Sequence, residues 1–401
     1  MTKWLTIIGM GEDGHDGLSA HARARLADAE VVVGSERMLA LIPGSKAERH
    51  LWPQPFSAVV DRITPLRGRK TVILATGDPM NYGVARKLLS FIPVQEAEII
   101  PHLSAFTLAA ARLGWSLPDC DTLSLHGRDA ATLEPFIQPG AKLLVLTADA
   151  STIPEVARRL VARGFGESVI TVLENMGGAR ERQSSFSASA VPAQDFSPLN
   201  TLAIFCIPGP GAKILSRVAG LPDEAFQHDG QLTKCQVRAV TIAALSPAPG
   251  QLLWDVGAGC GSIAIEWMRS TRGCEAIAFE SDPERLKMIA ANADTLGTPR
   301  LKLIAGDALQ TMKGQPAPDA VFIGGGLGIP GVFETAWDAL KPGGMMVVNV
   351  VTLEGELHLY DLHEKHGGDL TRLEISRLIR IGPLRALKPR MAVTQWQTRK
   401  P

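Results

Sequence analysis

The sequence has no net charge and no long apolar run. Its 41 Lys and Arg residues balance 41 Asp and Glu residues, so it lacks the overall basic field expected of a nucleic-acid-binding protein. No apolar stretch approaches the roughly 18 residues that a membrane span requires. The N-terminal MTKWLTIIGMGEDG is typical of a first strand and not of a signal peptide. We therefore expect a cytoplasmic protein with neither nucleic-acid nor membrane partners.

Paired cysteines and metal-ligand patterns are also missing. None of the five cysteines forms a C-x-x-C pair, which argues against a zinc ribbon or a disulfide framework. His358, His363 and His366 do not share one face of a helix, so we expect a surface helix there and no metal site. No Ser-His-Asp or Cys-His arrangement is evident. Cys260 lies in a tight turn that needs a small residue, and we do not expect it to be a nucleophile.

The chain is long enough for two or three domains, since it has 401 residues. Short β-branched runs alternate with helical patterns in both halves, which predicts an α/β fold with largely parallel sheets. The Pro-Gly-Pro-Gly stretch at 208–211 predicts a boundary between a domain over 1–210, a linker over 211–221 and a domain over 222–401. Only the last forty residues lose the alternation, and they predict two antiparallel strands, LTRLEISRLIRI and PRMAVTQWQ.

A glycine-rich turn in LLWDVGAGCGSIAIEW (252–267) follows one strand and precedes a helix, an arrangement that lets a ligand approach backbone N–H groups. A P-loop is excluded because no G-K-[ST] follows. A dinucleotide site needs a third glycine where Ser262 stands, so a nicotinamide cofactor is the weaker match. A turn without a ligand is the other alternative. What the sequence offers is Asp255-x-Gly257-x-Gly259-x-Gly261 and then acidic residues after the next two strands.

That order resembles the S-adenosylmethionine (SAM) site of class I methyltransferases, which have a Rossmann-like domain. The resemblance implies that the turn lies beside the amino-acid part of SAM, that Glu280 binds the ribose hydroxyls and that the third turn meets the adenine. It also implies a SAM contact from Gln231, in the loop before the first helix. The implied cofactor residues of this half are Gln231, Asp255, Gly257, Ala258, Gly259, Cys260, Gly261, Glu280, Asp307 and Ala308.

Four small-residue loops follow strands in the N-terminal half: GMGEDG, ATGDPMNYG, PHLSAF and LTADAS. Loops of this kind meet at the carboxyl edge of a sheet, where open α/β sheets bind ligands. The set resembles the tetrapyrrole methylase superfamily, in which two small α/β subdomains hold SAM between them. Glu12 and Asp13 stand where the superfamily loop G-x-G-P-G-D has Pro and Gly. The implied cofactor residues are Gly9, Gly11, Gly77, Asp78, Pro79, Ser104 and Ala105.

The combination of the two halves resembles the family of bifunctional, decarboxylating precorrin-6Y C(5,15)-methyltransferases of cobalamin biosynthesis. The resemblance implies two SAM sites per chain and a homo-oligomer. It also implies methylation at carbon 5 by the first domain, and methylation at carbon 15 with loss of the ring C acetate carboxyl by the second, giving precorrin-8X. The alternatives are the cobalt-containing equivalent of the anaerobic pathway, an RNA methyltransferase, and a tetrapyrrole carrier without activity.

A carboxylate-rich tetrapyrrole needs basic partners. Eight Lys or Arg residues and one acid, Glu374, lie between 372 and 400, and Arg forks suit bidentate carboxylate binding. Arg377, Arg380 and Arg385 are therefore candidates for substrate binding, with a solvated strand face or an oligomer contact as the alternative. His126 and Arg128, which follow a strand in SLHGRD, are further candidates, and a structural role for them is equally compatible with the sequence.

Overall fold

The computed structural model describes residues 3–401, which form two compact units. The first unit contains the described residues up to Ala130 together with Pro139–Lys213, and the second contains Ala131–Gln138 and Ile214–Pro401. The break at Lys213 falls inside the expected linker, and a short segment from the middle of the first half belongs to the second unit. No helix within residues 3–401 is both long enough and apolar enough to span a bilayer.

Strands and helices alternate along most of the described chain. The strands are β1 Leu5–Met10, β2 Val31–Gly34, β3 Glu48–Leu51, β4 Thr71–Thr76, β5 Ala97–Ile100, β6 Cys120–Ser124, β7 Lys142–Leu146, β8 Val169–Glu174, β9 Arg182–Ser187, β10 Asn200–Phe205, β11 Leu252–Val256, β12 Glu275–Glu280, β13 Lys302–Ala305, β14 Ala320–Ile323, β15 Met345–Val350, β16 Asp369–Leu373, β17 Ser376–Ile381, β18 Leu384–Pro389 and β19 Val393–Arg399.

The α-helices are α1 Gly14–Gly17, α2 Ala20–Ala27, α3 Glu36–Ala40, α4 Val59–Ile63, α5 Ala85–Leu88, α6 Ala105–Leu113, α7 Thr152–Ala162, α8 Cys235–Leu245, α9 Ser262–Ser270, α10 Pro283–Thr295, α11 Ala308–Thr311, α12 Val332–Ala339 and α13 Leu353–His366. Short 3-10 helices cover Phe56–Ala58, Thr64–Leu66, Val94–Glu96, Leu117–Asp119, Ala130–Phe136 and Asp223–Ala225. Serine caps begin several of the α-helices; the expected cap of α2, for example, forms because Ser19 Oγ accepts from Ala22 N at 3.2 Å.

The first unit contains two sheets, as expected for two small α/β subdomains. One sheet has the order β3-β2-β4-β1-β5, with every pairing parallel. Successive side chains of β1 point to opposite faces, so Ile7 packs in one buried cluster and Ile8 in another. The sheet is thus apolar on both faces, as parallel sheets are. The second sheet has the order β6-β7-β10-β8-β9 and is mixed.

The second unit is built on a seven-stranded sheet of order β13-β12-β11-β14-β15-β19-β16. The first five strands in this order are parallel, and β19 is antiparallel to both of its neighbours, β15 and β16. The sheet carries a buried cluster on each face, with Leu253 in one and Trp254 in the other. The mostly parallel sheet with antiparallel C-terminal strands that the sequence predicts is therefore confirmed.

The expectation of only two C-terminal strands is wrong. LTRLEISRLIRI divides into β16, which pairs with β19, and β17, which pairs with β18 in a separate two-stranded sheet. Gly382 and Pro383 form a two-residue connection between Ile381 and Leu384, which face each other, and Gly382 has a φ of +59°. A glycine at the first central position of such a connection is a hairpin signal, which the apolar pattern on either side obscured.

Candidate functional site

The second unit has a topological switch point at the carboxyl edge of its sheet, between β11 and β14. The chain runs from β11 to β12 and β13 on one side and then to β14 and β15 on the other. The strand order therefore reverses between β11 and β14, and ligands of open α/β sheets bind at such a switch point. The glycine turn, residues 257–261, follows β11 directly and lies at this point.

The glycine turn has a backbone that other residues adopt poorly. Gly257, Gly259 and Gly261 have φ values of +70°, +60° and +79°. A Cβ added to Gly257 would lie 2.8 Å from the carbonyl oxygen of Gly325, in the loop after β14, so the two loops approach each other as closely as backbones can. Gly261 then precedes α9. The absence of side chains at these glycines thus lets a ligand come close to the backbone at the start of α9.

Glu280, at the end of β12, joins the glycine turn to the next turn. Its Oε2 accepts from Gly259 N at 2.8 Å, and its Oε1 accepts from Ser281 N at 2.9 Å and from Asp282 N at 3.0 Å. The residue is only 6% exposed. A carboxylate has about four lone-pair sites, so acceptor capacity remains after these three bonds. This capacity fits the vicinal hydroxyls of a ribose.

Asp255 is a buried carboxylate with one unused oxygen. Its Oδ2 accepts from Ala264 N at 3.0 Å, whereas Oδ1 is buried and has no hydrogen-bond partner among the described residues. Burial raises the pKa of Asp255 to about 7; the bond from Ala264 opposes this shift, and the negative charge of Glu280 adds to it. An orphaned acceptor in a carboxylate of this kind fits a cationic ligand group, such as the ammonium or sulfonium of SAM.

The remaining predicted residues of this half lie against the glycine turn or at the carboxyl edge of the sheet. Gln231 crosses the glycine turn: its carbonyl oxygen lies 3.7 Å from the position of a Cβ on Gly259. Asp307 follows β13 and caps α11, whose first residue is Ala308, by accepting from Gln310 N at 3.2 Å. Burial raises the pKa of the Cys260 thiol, which disfavours the thiolate and fits the expectation that Cys260 only fills the turn.

In the first unit, the loops after β1, β4 and β5 meet. A Cβ added to Gly9 would collide with the carbonyl oxygen of Gly77 and would lie 2.8 Å from His102 N, so only glycine permits this approach. Asp78 Oδ1 accepts from Met80 N at 2.8 Å, which shapes the turn that contains Pro79. Ser104 caps α6, which begins at Ala105, by accepting from Thr107 N at 3.1 Å. The predicted residues of these three loops are therefore neighbours.

Glu12, which stands where the superfamily loop has proline, forms an ion pair that the sequence analysis did not predict. Glu12 forms an ion pair with Arg37 of α3, and Arg37 Nη2 also donates to Thr76 Oγ1 at 2.9 Å, at the end of β4. A Cβ added to Gly178, after β8, would lie 2.8 Å from Glu12 Cβ, and burial lowers the pKa of Arg37. Glu12 thus ties the first loop to three other elements. A mostly buried acid needs a counter-charge, but the sequence does not show that Glu12 is buried, so it held no signal for this pair.

The substrate candidates of the first unit lie on an exposed loop. The Arg128 guanidinium carbon is 5.0 Å from the centre of the Tyr82 ring, and Arg128 Nη1 donates to Ser124 O at 3.3 Å. The Tyr82 hydroxyl donates to Thr122 O at 3.0 Å. His126 is exposed beside them. An arginine stacked on a tyrosine at the surface offers a flat, cationic contact for a conjugated ring that carries carboxylates.

The three basic candidates of the second unit do not share one face. All are on the β17–β18 hairpin, where Arg377 faces Lys388, and Arg380 faces Arg385. Residues 377 and 380 point to opposite faces because side chains alternate along a strand. Arg377 lies 3.9 Å from Asp223, and so does Arg390, which is not among the candidates. The hairpin therefore presents two basic surfaces and not one.

The three histidines lie on α13, as expected for a helix there. His366 packs against Trp337, with ring centres 4.5 Å apart, and burial lowers its pKa. His363 Nε2 lies 3.1 Å from Gly368 O. Across residues 3–401, no three His, Cys, Asp or Glu side chains are grouped so that they could hold a metal ion.

Comparisons with known proteins assign both units. Residues 4–190 match the model of the tetrapyrrole (corrin/porphyrin) methylases, and residues 224–400 match that of the precorrin methyltransferase domain. A cobalt-precorrin-7 C(5)-methyltransferase of Salmonella typhimurium is 32% identical over 190 residues, which are 47% of this chain and 93% of that protein. A cobalt-precorrin-6B C(15)-methyltransferase (decarboxylating) of the same organism is 31% identical over 176 residues, which are 42% of this chain and 90% of that protein.

The two units are also matched together by full-length relatives. A precorrin-6Y C(5,15)-methyltransferase (decarboxylating) of Sinorhizobium sp is 44% identical over 401 residues, which cover 100% of this chain and 97% of that protein. Since the likeness extends over both proteins, it includes the order and the fusion of the two units. This chain is therefore a methyltransferase that belongs to the family of decarboxylating precorrin-6Y C(5,15)-methyltransferases.

Proposed function

We propose that this chain methylates a precorrin-6-type tetrapyrrole at carbons 5 and 15 and removes the carboxyl group of the ring C acetate, giving precorrin-8X in cobalamin biosynthesis. The observation that carries the proposal is that each unit has its own set of glycine-containing loops at the carboxyl edge of a parallel sheet, in a chain that matches a bifunctional relative over its full length. Two SAM sites per chain follow from this arrangement.

We assign carbon 5 to the first domain, residues 1–210, and carbon 15 with decarboxylation to the second, residues 222–401. Two part-length relatives support the division, because one is named for carbon 5 and the other for carbon 15 with decarboxylation. The two matched family models also fall within these ranges. A cobalt-containing substrate is the second candidate, since both part-length relatives are named for cobalt-precorrins.

The residues supply binding and orientation. Bound SAM would supply a sulfonium methyl, which is already an activated electrophile. In the second unit, Glu280 would hold the ribose, and the glycine turn with Gln231 the amino-acid end; Asp255 would face positive charge. In the first unit, the loops after β1, β4 and β5 would hold the second SAM. Alignment with a ring carbon and exclusion of water can then account for most of the rate enhancement without a covalent protein intermediate.

Titration of the full-length protein with SAM tests the proposal. We expect two sites per chain and, with reduced precorrin present, a product that has gained two methyl groups and lost one carbon dioxide by mass spectrometry. Addition of an RNA pool in place of the precorrin is the matched control, and it should yield no methylated product. No SAM binding would contradict an enzymatic role. Methyl gain without loss of carbon dioxide would contradict the decarboxylation.

We also propose that the chain forms a homo-oligomer through the β17–β18 hairpin. A lone two-stranded sheet is marginally stable in water, and here Leu378, Ile381, Leu384 and Leu387 are 59–71% exposed. Leu378 and Leu387 form an apolar pair on one face of the hairpin, and Ile381 and Leu384 form one on the other face, because side chains alternate along each strand. Exposed apolar surface is typical of an interface, and the Leu378–Leu387 pair of a second copy would cover that of the first with a matching apolar surface.

A charged cross-strand pair in the hairpin should dissociate the oligomer. The double variant Leu378→Lys/Leu387→Glu keeps opposite charges facing each other and so preserves the hairpin. We expect its mass, measured by light scattering after size exclusion, to fall to that of one chain. Val218→Lys is the control, because Val218 is 77% exposed in the same unit but lies outside the hairpin. An unchanged mass in the double variant would rule out this interface.

A further inference from the structure

Residues 227–232, called the strap here, cross the glycine turn and are anchored by a buried side chain. Asn292 of α10 is fully buried. Its Oδ1 accepts from Gln227 N at 2.7 Å, and its Nδ2 donates to Gln227 O and to Cys260 O, both at 2.9 Å. One amide therefore bonds the strap and the glycine turn together, so the first residue of the strap is fixed relative to that turn.

A second contact with α10 holds the far end of the strap. Arg285 Nε donates to Asp229 Oδ2, and Arg285 Nη2 donates to Gln231 Oε1, both at 2.9 Å. Asp229 Oδ1 in turn accepts from Gln231 N at 2.9 Å. Arg285 is 25% exposed and Asp229 33%. Unlike Asn292, this contact lies near the surface, so it can be removed without opening the core.

The contact decides which way the amide of Gln231 points. A guanidinium has donors and no acceptor, so Gln231 must turn its oxygen toward Arg285. Both N–H groups of Gln231 Nε2 then remain for a different acceptor, and within the described part of the chain none bonds to them. Arg285 also neutralises Asp229, whose charge would otherwise repel an anion at the strap.

We infer that Arg285 is a positioning residue that makes the Gln231 amide a donor to the carboxylate of SAM in the second unit. The inference rests on the proposed function, because it takes this unit as a SAM site. The carboxylate is the acceptor that fits, since in SAM it is bonded to the same carbon as the ammonium group, for which Asp255 has an unused oxygen just before the turn that the strap crosses. Gln231 thus acts on the cofactor, and Arg285 acts through Gln231.

Decarboxylated SAM gives a direct test, because it lacks the carboxylate that the inference concerns. The full-length protein is titrated by calorimetry with SAM and, separately, with decarboxylated SAM. The site of the second unit is identified as the one whose affinity falls in the Glu280→Gln variant. For Arg285→Ala we expect about 10-fold weaker SAM binding at that site. The affinity for decarboxylated SAM should change less than about 2-fold, and the first unit should be unaffected.

Two further variants separate orientation from folding. Gln231→Glu keeps the bond to Arg285 but loses both N–H groups, so it should weaken SAM at least as much as Arg285→Ala does. Arg285→Lys keeps the charge beside Asp229 and should restore part of the SAM affinity. Lys287→Ala is the matched control, because Lys287 lies on the same helix, is 73% exposed and pairs with Glu284; its SAM affinity should equal that of the wild type.

The outcomes are distinct. Equal weakening of SAM and decarboxylated SAM by Arg285→Ala would overturn the inference, because the arginine would then only support the fold of the strap. Unchanged SAM affinity in Gln231→Glu would overturn it as well. If the wild-type protein showed no site that Glu280→Gln weakens, the proposed function of the second unit would fail, and the inference with it.

Discussion

Replacing Glu280 with glutamine is expected to weaken SAM binding in the second unit by about 100-fold or more and to abolish carbon dioxide release. Two losses combine. The two ribose hydroxyls lose charge-assisted bonds to a carboxylate. In addition, the backbone N–H groups of Gly259, Ser281 and Asp282 now donate hydrogen bonds to the Glu280 carboxylate. The NH2 group of glutamine cannot accept and must face at least one of these donors, so we expect the glycine turn to shift.

Glu275→Gln provides the matched control for this prediction. Glu275 begins the same strand, β12, and its side chain is 62% exposed, so its neutralisation removes the same charge without touching the turn. SAM affinity is measured by calorimetry, and carbon dioxide release with reduced precorrin as substrate. Full carbon dioxide release by Glu280→Gln would show that decarboxylation does not depend on this site. Weakening of both SAM sites would show that the change is not local.

Replacing Asp255 with asparagine is expected to stabilise the ligand-free protein above pH 7 while weakening its binding of SAM. Burial raises the pKa of Asp255 from 3.8 to about 7. A carboxyl group whose pKa is higher in the folded state stabilises the fold only while it is protonated. Its contribution to the free energy of unfolding therefore declines as pH rises from about 4 to about 7. Asparagine stays neutral and avoids this loss, which is at most about 4 kcal/mol.

Urea unfolding of the ligand-free protein between pH 5 and 8.5 measures this effect. The difference in unfolding free energy between Asp255→Asn and the wild type should grow with pH and level off above about 7. Asp338→Asn is the control, because Asp338 is exposed on α12, and it should show no such trend. A variant that is less stable than the wild type at pH 8.5 would contradict the argument, and so would one that binds SAM as tightly.

Local patterns were enough to predict the sheet edges and the loops. The strand–turn–helix order around Gly257, the acidic ends of the next strands and the loops near Gly9 and Gly77 are all short-range features, and the structure brings each group together as expected. β9 was not recognised, because Arg182–Ser187 is an edge strand with no fully buried residue and so lacks alternating apolar residues.

Partners that are distant in sequence could not be predicted. Arg37 and Glu12 are 25 positions apart, Arg285 and Gln231 54, and Asn292 and Gln227 65. Nothing in a local window distinguishes a buried Asn292 from the other polar residues of α10, since the choice of partner depends on how α10 packs on β12 and on the turn. The glycine loops could thus be predicted from motifs, whereas the side chains that hold them in place required the tertiary structure.

The three bonds of Asn292 have a consequence for hydrogen exchange. The backbone N–H of Gln227, in the strap, donates to Asn292 near the C-terminal end of α10. The backbone N–H of Gly259, in the glycine turn, donates to Glu280, just before α10. Neither can exchange with solvent unless its bond opens, and the Asn292 side chain links the two regions through Cys260 O. The strap and the glycine turn should therefore exchange as a single cooperative unit, so the cofactor-free protein opens this site as a whole and not loop by loop.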